Sequence, residues 1–371
     1  MAKIIDEEAL KSVQNDGLKL RNVPENLRTP ELCLAAVKKS GWALQFVPDK
    51  FKTPEICLAA VKKSGRSLEF VPDKLKTPEL CLAAVRQEGY ALSFLPEKFK
   101  TPELCFEAVK ENGFALMYVP EKLKTPKLCL TAVQENGYAL AFVPEDLKAS
   151  DLCFTAVQNC AKALEFVPAK FKTPEISHTA VQGNSFALKY VPEKLKIPKL
   201  CLAAVQQDGY ALGYVPEELK TLVLCLMAVQ QNHRAFRFLP VKFKTPEFCS
   251  TVLKTDGSFI KIMPENFKTP ENCLLAVENY GLALRYIPDA LKTSELCLAA
   301  VENYGYVLRF VPEKFKTSEL CLIAVKNYGL ALRFVPKKFK TLELCIKAVQ
   351  QDGEAFEFAP DELQDKMKDS L

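Results

Sequence analysis

Twenty-four residues after Thr77-Pro-Glu-Leu-Cys81 the same words return as Thr101-Pro-Glu-Leu-Cys105, and the period runs without a gap from Ile5 to Gln364. That makes fifteen repeats, starting at 5, 29, 53 and onward to 341, in a chain of 371 residues. Position 20 of the repeat is Pro in all fifteen, and position 9 is Val in all but the repeat carrying Leu253. Position 13 is Gly in twelve, with Ala161, Ser185 and His233 as the exceptions. Position 5 is Cys in thirteen, with Ala9 and Ser177 as substitutes. A unit this short cannot bury a core of its own, so each repeat must be covered by its neighbours. The gap-free pattern also leaves no room within 5–364 for a linker or an inserted catalytic domain.

Inside the repeat, Thr at position 1 reads as an N-cap, Pro at position 2 suits the first helical turn, and Glu at position 3 meets the positive end of the helix dipole. Apolar residues at positions 4, 5, 8 and 9, often joined by 6, predict one face of a three-turn helix. Gly at position 13 is expected to close it as a left-handed cap, with the following aromatic (Trp42, Tyr90, Phe114, Tyr138, Tyr210) folding back on the last turn. A second, shorter helical piece such as Ala91–Leu95 ends before the Pro at position 20, and a final turn leads to the next Thr. Alternating strand patterns are absent. The expectation is an all-α fold, an α-solenoid: a superhelical array of fifteen units, each with one three-turn helix plus one short helix. Residues 5–364 form one repeat domain with capping units 5–28 and 341–364, followed by a polar tail, 365–371, expected to fray.

Fifty basic and 45 acidic side chains leave a net charge of +5, too small an excess to announce nucleic acid or a membrane surface. No secretory signal pattern opens the sequence and no apolar run reaches the length of a membrane span. The expected setting is the cytoplasm. The fourteen cysteines do not form a disulfide or zinc pattern: equivalent positions in stacked repeats lie too far apart for a disulfide, and no C-x-x-C occurs. They read as small buried hydrophobes in a reducing compartment.

No catalytic constellation, cofactor loop or metal site is expected. The two histidines, His178 and His233, fall on repeat positions, and Ser177-His178 are helix neighbours whose side chains diverge. What repeats on the surface can bind. Position 24 is Lys in thirteen successive repeats, Lys52 to Lys340, preceded by Arg28, and Lys50, Lys74, Lys98 and Lys122 recur at position 22. This lysine ladder supports a polyanion or nucleic-acid reading, although Glu accompanies it in most rows. Three consecutive repeats share Asn279-Tyr280, Asn303-Tyr304 and Asn327-Tyr328, with Arg285, Arg309 and Arg333 at position 17. Tyr and Arg favour interaction surfaces, which makes these nine residues the candidate partner-binding patch. Positions 7, 10, 11 and 17 are expected to line the binding surface. A middle stretch loses the consensus at Ala149-Ser150, Cys160-Ala161, Ser177-His178, Gly183-Asn184-Ser185 and His233-Arg234, and Lys38, Lys39, Lys62, Lys63 and Arg66 make the first quarter locally basic.

At the level of A-V-x-x-N/D-G-x-A-L-x-F/Y-V-P-E-x-L-K, as in Ala132-Val-Gln-Glu-Asn-Gly-Tyr-Ala-Leu140, the chain resembles the bacterial domain-of-unknown-function family of short tandem helical repeats, two 24-residue units to a domain. The resemblance covers residues 5–364. It implies a multi-repeat helical protein of bacterial origin, related to candidate effectors of intracellular bacteria and so delivered to a host cell where the source is host-associated. It transfers no catalytic residue to any position here. The functional expectation is a non-catalytic scaffold that binds a protein or peptide along its inner surface, as a monomer or weak homo-oligomer, with polyanion binding through the lysine ladder as the alternative.

Overall fold

The structure is a computed structural model describing residues 7–368. The described residues are an all-α tandem array, without a strand among them. They divide into two compact units, Met1–Leu200 and Cys201–Leu371. Ile5 and Asp6, part of the acidic start of the first repeat, lie outside the described residues.

In the N-terminal unit the repeat from Thr77 shows the construction. The Thr77 hydroxyl accepts from the Leu80 N–H at 3.2 Å and Pro78 opens a helix, Pro78–Gln87. Glu88, in an extended conformation, ends it and donates its N–H to the Ala84 carbonyl at 3.0 Å. A 3-10 helix, Gly89–Phe94, follows, and then a three-residue 3-10 turn, Glu97–Phe99, so the short second piece has a three-fold period. In a 3-10 helix residues i and i+3 eclipse. Positions 13, 16 and 19 therefore share one edge, and Gly89, Leu92 and Leu95 are buried there. Positions 14 and 17, Tyr90 and Ser93, share another edge that stays half-exposed. Leu80, Cys81, Ala84 and Val85 complete the core from the long helix, the four positions that the apolar spacing predicts.

Four expectations change. Among the described residues no glycine has a positive φ, so position 13 is not a left-handed cap. The reason for Gly there is close approach: a Cβ on Gly137 would sit 2.1 Å from the Ala156 carbonyl oxygen of the next repeat, and on Gly41 it would sit 2.4 Å from that of Ala60. The ring at position 14 does not fold back but reaches forward. Tyr90 meets Tyr118 edge-on at 5.2 Å, and Tyr138 meets Phe166 at 4.8 Å. A side-chain cap occurs instead at position 12 in some repeats: Asn112 and Asn136 accept from the backbone N–H two residues on, at 3.0 Å each, whereas Ser40, Ser64, Glu88 and Cys160 make no such bond. Finally, the polar tail is not frayed from its start: Pro360 is followed by a helix, Asp361–Lys368, with two acids in its first turn and Met367 fully buried.

The lysines of position 24 turn inward. Lys148 keeps only 6 % of its side chain exposed and donates to the Phe166 carbonyl of the next repeat at 3.2 Å and to Glu145 at 2.6 Å. Lys76, Lys124 and Lys172 likewise donate to the carbonyls of Phe94, Phe142 and Tyr190 in the next repeat, at 2.9–3.1 Å. These acceptors are the last carbonyls of 3-10 helices, which have no intrahelical donor. Because Glu145 is 76 % exposed, its ion pair is largely screened, and the bond to the carbonyl carries the linkage. Lys148→Met keeps the buried stem and removes only the ammonium. It is expected to lower stability by about 1.5–3 kcal/mol in denaturant melts followed by circular dichroism; an unchanged melt would mean that the bond contributes nothing.

In the C-terminal unit the same repeat continues, with one departure. His233 replaces Gly at position 13, and the following helix, Pro246–Leu253, has eight residues instead of ten. The succeeding 3-10 helix, Gly257–Lys261, is shortened to five. The imidazole lies 5.4 Å from the Phe259 ring of that next repeat.

Candidate binding edge of the C-terminal unit

The three-fold period of the short helix decides which side chains line up. In successive repeats of the C-terminal unit, positions 12, 14, 17 and 18 project along one edge. Arg285, Arg309 and Arg333 at position 17 are exposed. Arg285 stands over the rings of Tyr286 and Phe310, both at 5.8 Å, and Arg309 over Phe310 at 5.9 Å and Phe334 at 6.0 Å. Arg333 lies 5.6 Å from the Phe358 ring. Each guanidinium is thus placed by the ring of its own or the next repeat, the cation–aromatic geometry that fixes a charge without neutralising it.

Two further cations belong to this row, and the triplet motif did not reveal them. Arg237 lies over Phe238 at 5.4 Å and Lys261 over Tyr286 at 5.9 Å. The signal was present in the sequence at position 17 but was hidden because neither repeat carries Asn-Tyr-Gly. None of these five cations forms an ion pair among the described residues.

The tyrosines occupy a position with another use. Asp208, Asn232, Asp256 and Asp352 all cap the 3-10 helix from position 12. Tyr280, Tyr304 and Tyr328 stand in that place and make no side-chain cap. Their rings face the edge instead: Tyr304 contacts Tyr328 at 5.9 Å and Tyr306 at 6.0 Å. Tyr280, Leu282, Arg285, Tyr286, Arg309 and Phe310, with Tyr306, line a recess of about 240 Å³. A second recess, about 500 Å³, adjoins it through Tyr280 and Tyr286 and holds Arg234, Lys261 and Asp256. There His233 Nε2 lies 3.2 Å from Asp256, and burial holds its pKa below the ordinary value, partly offset by that carboxylate.

The asparagines do not belong to the edge. Asn303 Nδ2 donates to the Glu278 carbonyl at 2.9 Å while its oxygen accepts from the Gly281 N–H at 2.9 Å. Asn327 donates to the Val301 and Glu302 carbonyls at 3.3 and 3.1 Å. Both therefore tie one repeat to the preceding one, and Asn279 bonds back within its own helix to Leu275 at 2.9 Å. Position 11 thus serves as a clamp in the repeats of Asn303 and Asn327, and positions 7 and 10 line a recess between long helices, as with Arg86 and Glu107.

A family model described as a domain of unknown function (DUF4116) matches residues 7–52, 53–100, 101–148, 198–244, 245–292, 293–340 and 317–364. The chain belongs to this family. The DUF4116 spans leave out 149–197, the stretch that carries Ala161, Ser177 and Ser185 in place of the usual Gly and Cys. No curated protein matches this DUF4116 chain. A solved structure described under the computational design of self-assembling cyclic protein homo-oligomers is 13 % identical over 98 % of this chain and 96 % of that one, with a TM-score of 0.08. That score is too low to carry an argument.

Other chemistry is sparse. Ser177 is buried and its neighbour His178 exposed, so the two side chains do not meet. Among the described residues no group of three or more His, Cys, Asp or Glu could hold a metal ion. Nor is any described helix long and apolar enough to cross a membrane.

Proposed function

We propose that this chain is a non-catalytic repeat scaffold that binds a protein or peptide along the edge formed by positions 12, 14, 17 and 18 between Arg234 and Arg333. The observation that carries the reading is the exchange at position 12. Three consecutive repeats place Tyr280, Tyr304 and Tyr328 where the other repeats of the C-terminal unit hold a capping Asp or Asn, a cap worth about 1 kcal/mol, and these rings surround arginines without carboxylate partners. Half-exposed aromatic rings beside oriented guanidinium groups supply the two side-chain types most enriched at energetic centres of interfaces. The polyanion alternative loses much of its support, because most of the position-24 ammonium groups, Lys124, Lys148, Lys268 and Lys316 among them, are bonded to carbonyls of the next repeat.

Restoring the cap separates binding from folding. The triple variant Tyr280→Asn, Tyr304→Asn and Tyr328→Asn is expected to melt higher than the parent, by about 1 kcal/mol per site. The same variant should lose capture of its partner from native lysate at least about tenfold, an effect of the size expected for removing interface anchors. Undiminished capture by the more stable variant would defeat the proposal.

A further inference from the structure

Resting on that reading, we infer that the edge takes an acidic, proline-rich segment in the polyproline II conformation, with one carboxylate for each repeat. The cations alternate with rings along the row: Lys261, Tyr286, Arg285, Phe310, Arg309 and Phe334 follow one another at 5.8–6.0 Å. Position 17 supplies five cations in succession, from Arg237 to Arg333, and positions 12 and 14 of the same repeats add Arg234 and a single acid, Asp256, already paired with His233. The edge is therefore complementary to negative charge.

Spacing selects the kind of anion. Packed helices lie about 8–10 Å apart, so the cations recur at about that interval. A polyproline II chain has three residues per turn and rises about 3.1 Å per residue, which brings every third side chain to the same side at about 9 Å. A β-strand of equal reach would turn every third side chain to the opposite face. A nucleic-acid strand carries a charge about every 3.4 Å, far denser than this row can neutralise. The rings favour the same ligand, since proline-rich segments dock in aromatic-lined grooves. The recess bounded by Tyr280, Tyr286, Tyr306 and Phe310 is such a groove. At its C-terminal end the row stops at Glu357, the first acid at position 17 after five cations.

The test uses the full chain and fluorescein-labelled peptides in polarisation titrations. The probe is a peptide of five Glu-Pro-Pro triplets. Its controls are the Gln-Pro-Pro equivalent, a peptide of the same composition with all five Glu in one block, and a single-stranded oligothymidine of similar length. The periodic peptide is expected to bind at least about tenfold tighter than any control. Changing Arg237, Lys261, Arg285, Arg309 and Arg333 together to Gln should abolish that preference. These are exposed side chains, so the fold should survive, and an unchanged circular dichroism spectrum checks it. A gain is expected as well: Glu357→Arg should strengthen binding of a six-triplet peptide by about threefold. Equal binding of the block peptide, tighter binding of the oligothymidine, or no binding of the periodic peptide overturns the inference. So does self-association of the protein that the Gln variant abolishes, since a second copy would then be the occupant. If the periodic peptide fails while tyrosine-dependent capture of a native partner persists, the inference falls and the scaffold reading stands.

Discussion

Gly137→Ala is expected to destabilise the protein by about 3 kcal/mol or more, whereas Gly353→Ala at the same repeat position is expected to be neutral or slightly stabilising. The added methyl at 137 would lie 2.1 Å from the Ala156 carbonyl oxygen and 2.9 Å from the backbone nitrogen and Cβ of Cys160. These are main-chain atoms of the next helix, Ser150–Asn159, or carbon fixed to it, so no rotamer change can relieve the contact. The two repeats must separate, and with them goes apolar burial that neither repeat can recover alone. Gly353 lies in the last repeat, and nothing stands within 4 Å of the methyl that would be added there. Without a positive φ to lose, Ala at 353 only restricts the unfolded chain. Denaturant melts of the two variants beside the parent measure the difference. Equal melts would mean that the glycine answers to something other than the next repeat.

Two of the three natural exceptions show a neighbour that differs, whereas Ser185 is followed by a helix of the usual ten residues, Pro198–Gln207. Ala161 carries the methyl that Gly137 cannot, and in the repeat after it position 11 is Gly183, the one glycine at that position in the chain. A Cβ on Gly183 would meet that of Ala161 at 3.1 Å. A methyl gained on one side is matched by a side chain lost on the other. After His233 the next helix ends two residues early.

These details show what could be read before the structure and what could not. The period, the long helix and the core at positions 4, 5, 8 and 9 were legible because each depends on the local order of side chains. The short helix was legible as helix but not as 3-10, so the alignment of positions 14 and 17 on one edge was hidden. The glycine was misassigned because a left-handed cap and a close approach require the same residue; only the neighbouring carbonyl distinguishes them. The inward turn of most position-24 lysines was hidden for a related reason. Their acceptors lie eighteen residues ahead, as Phe166 does for Lys148, a separation that means nothing until repeats are stacked. Of the nine candidate residues, the tyrosines and arginines reach the edge. The asparagines are engaged by backbone groups: Asn303 and Asn327 bond to the preceding repeat and Asn279 to its own helix.

The position-5 cysteines predict how the array fails. Burial pushes the thiols of Cys33, Cys57, Cys81 and eight equivalents up to about 11, against a smaller opposite pull from neighbouring lysines at most of these sites. In the unfolded chain a thiol titrates near 8.5. The folded value is the higher one, so the stabilisation is complete below about pH 8.5 and is lost as pH rises toward 11. Within that window each site costs about 1.4 kcal/mol per pH unit. Eleven sites acting together would exceed a typical folding free energy of about 5–15 kcal/mol within one or two pH units. Burial also depresses Lys172 and Lys340, which favours the folded state at high pH, but only two sites oppose eleven. Alkaline unfolding should therefore begin above about pH 9 and be steep. Thiolate absorbance near 240 nm and loss of helical circular dichroism should rise together in one titration. Thiolates appearing near pH 8.5 with the helices intact would show that the cysteines are open to solvent, and the packed seam they are assigned to would not exist.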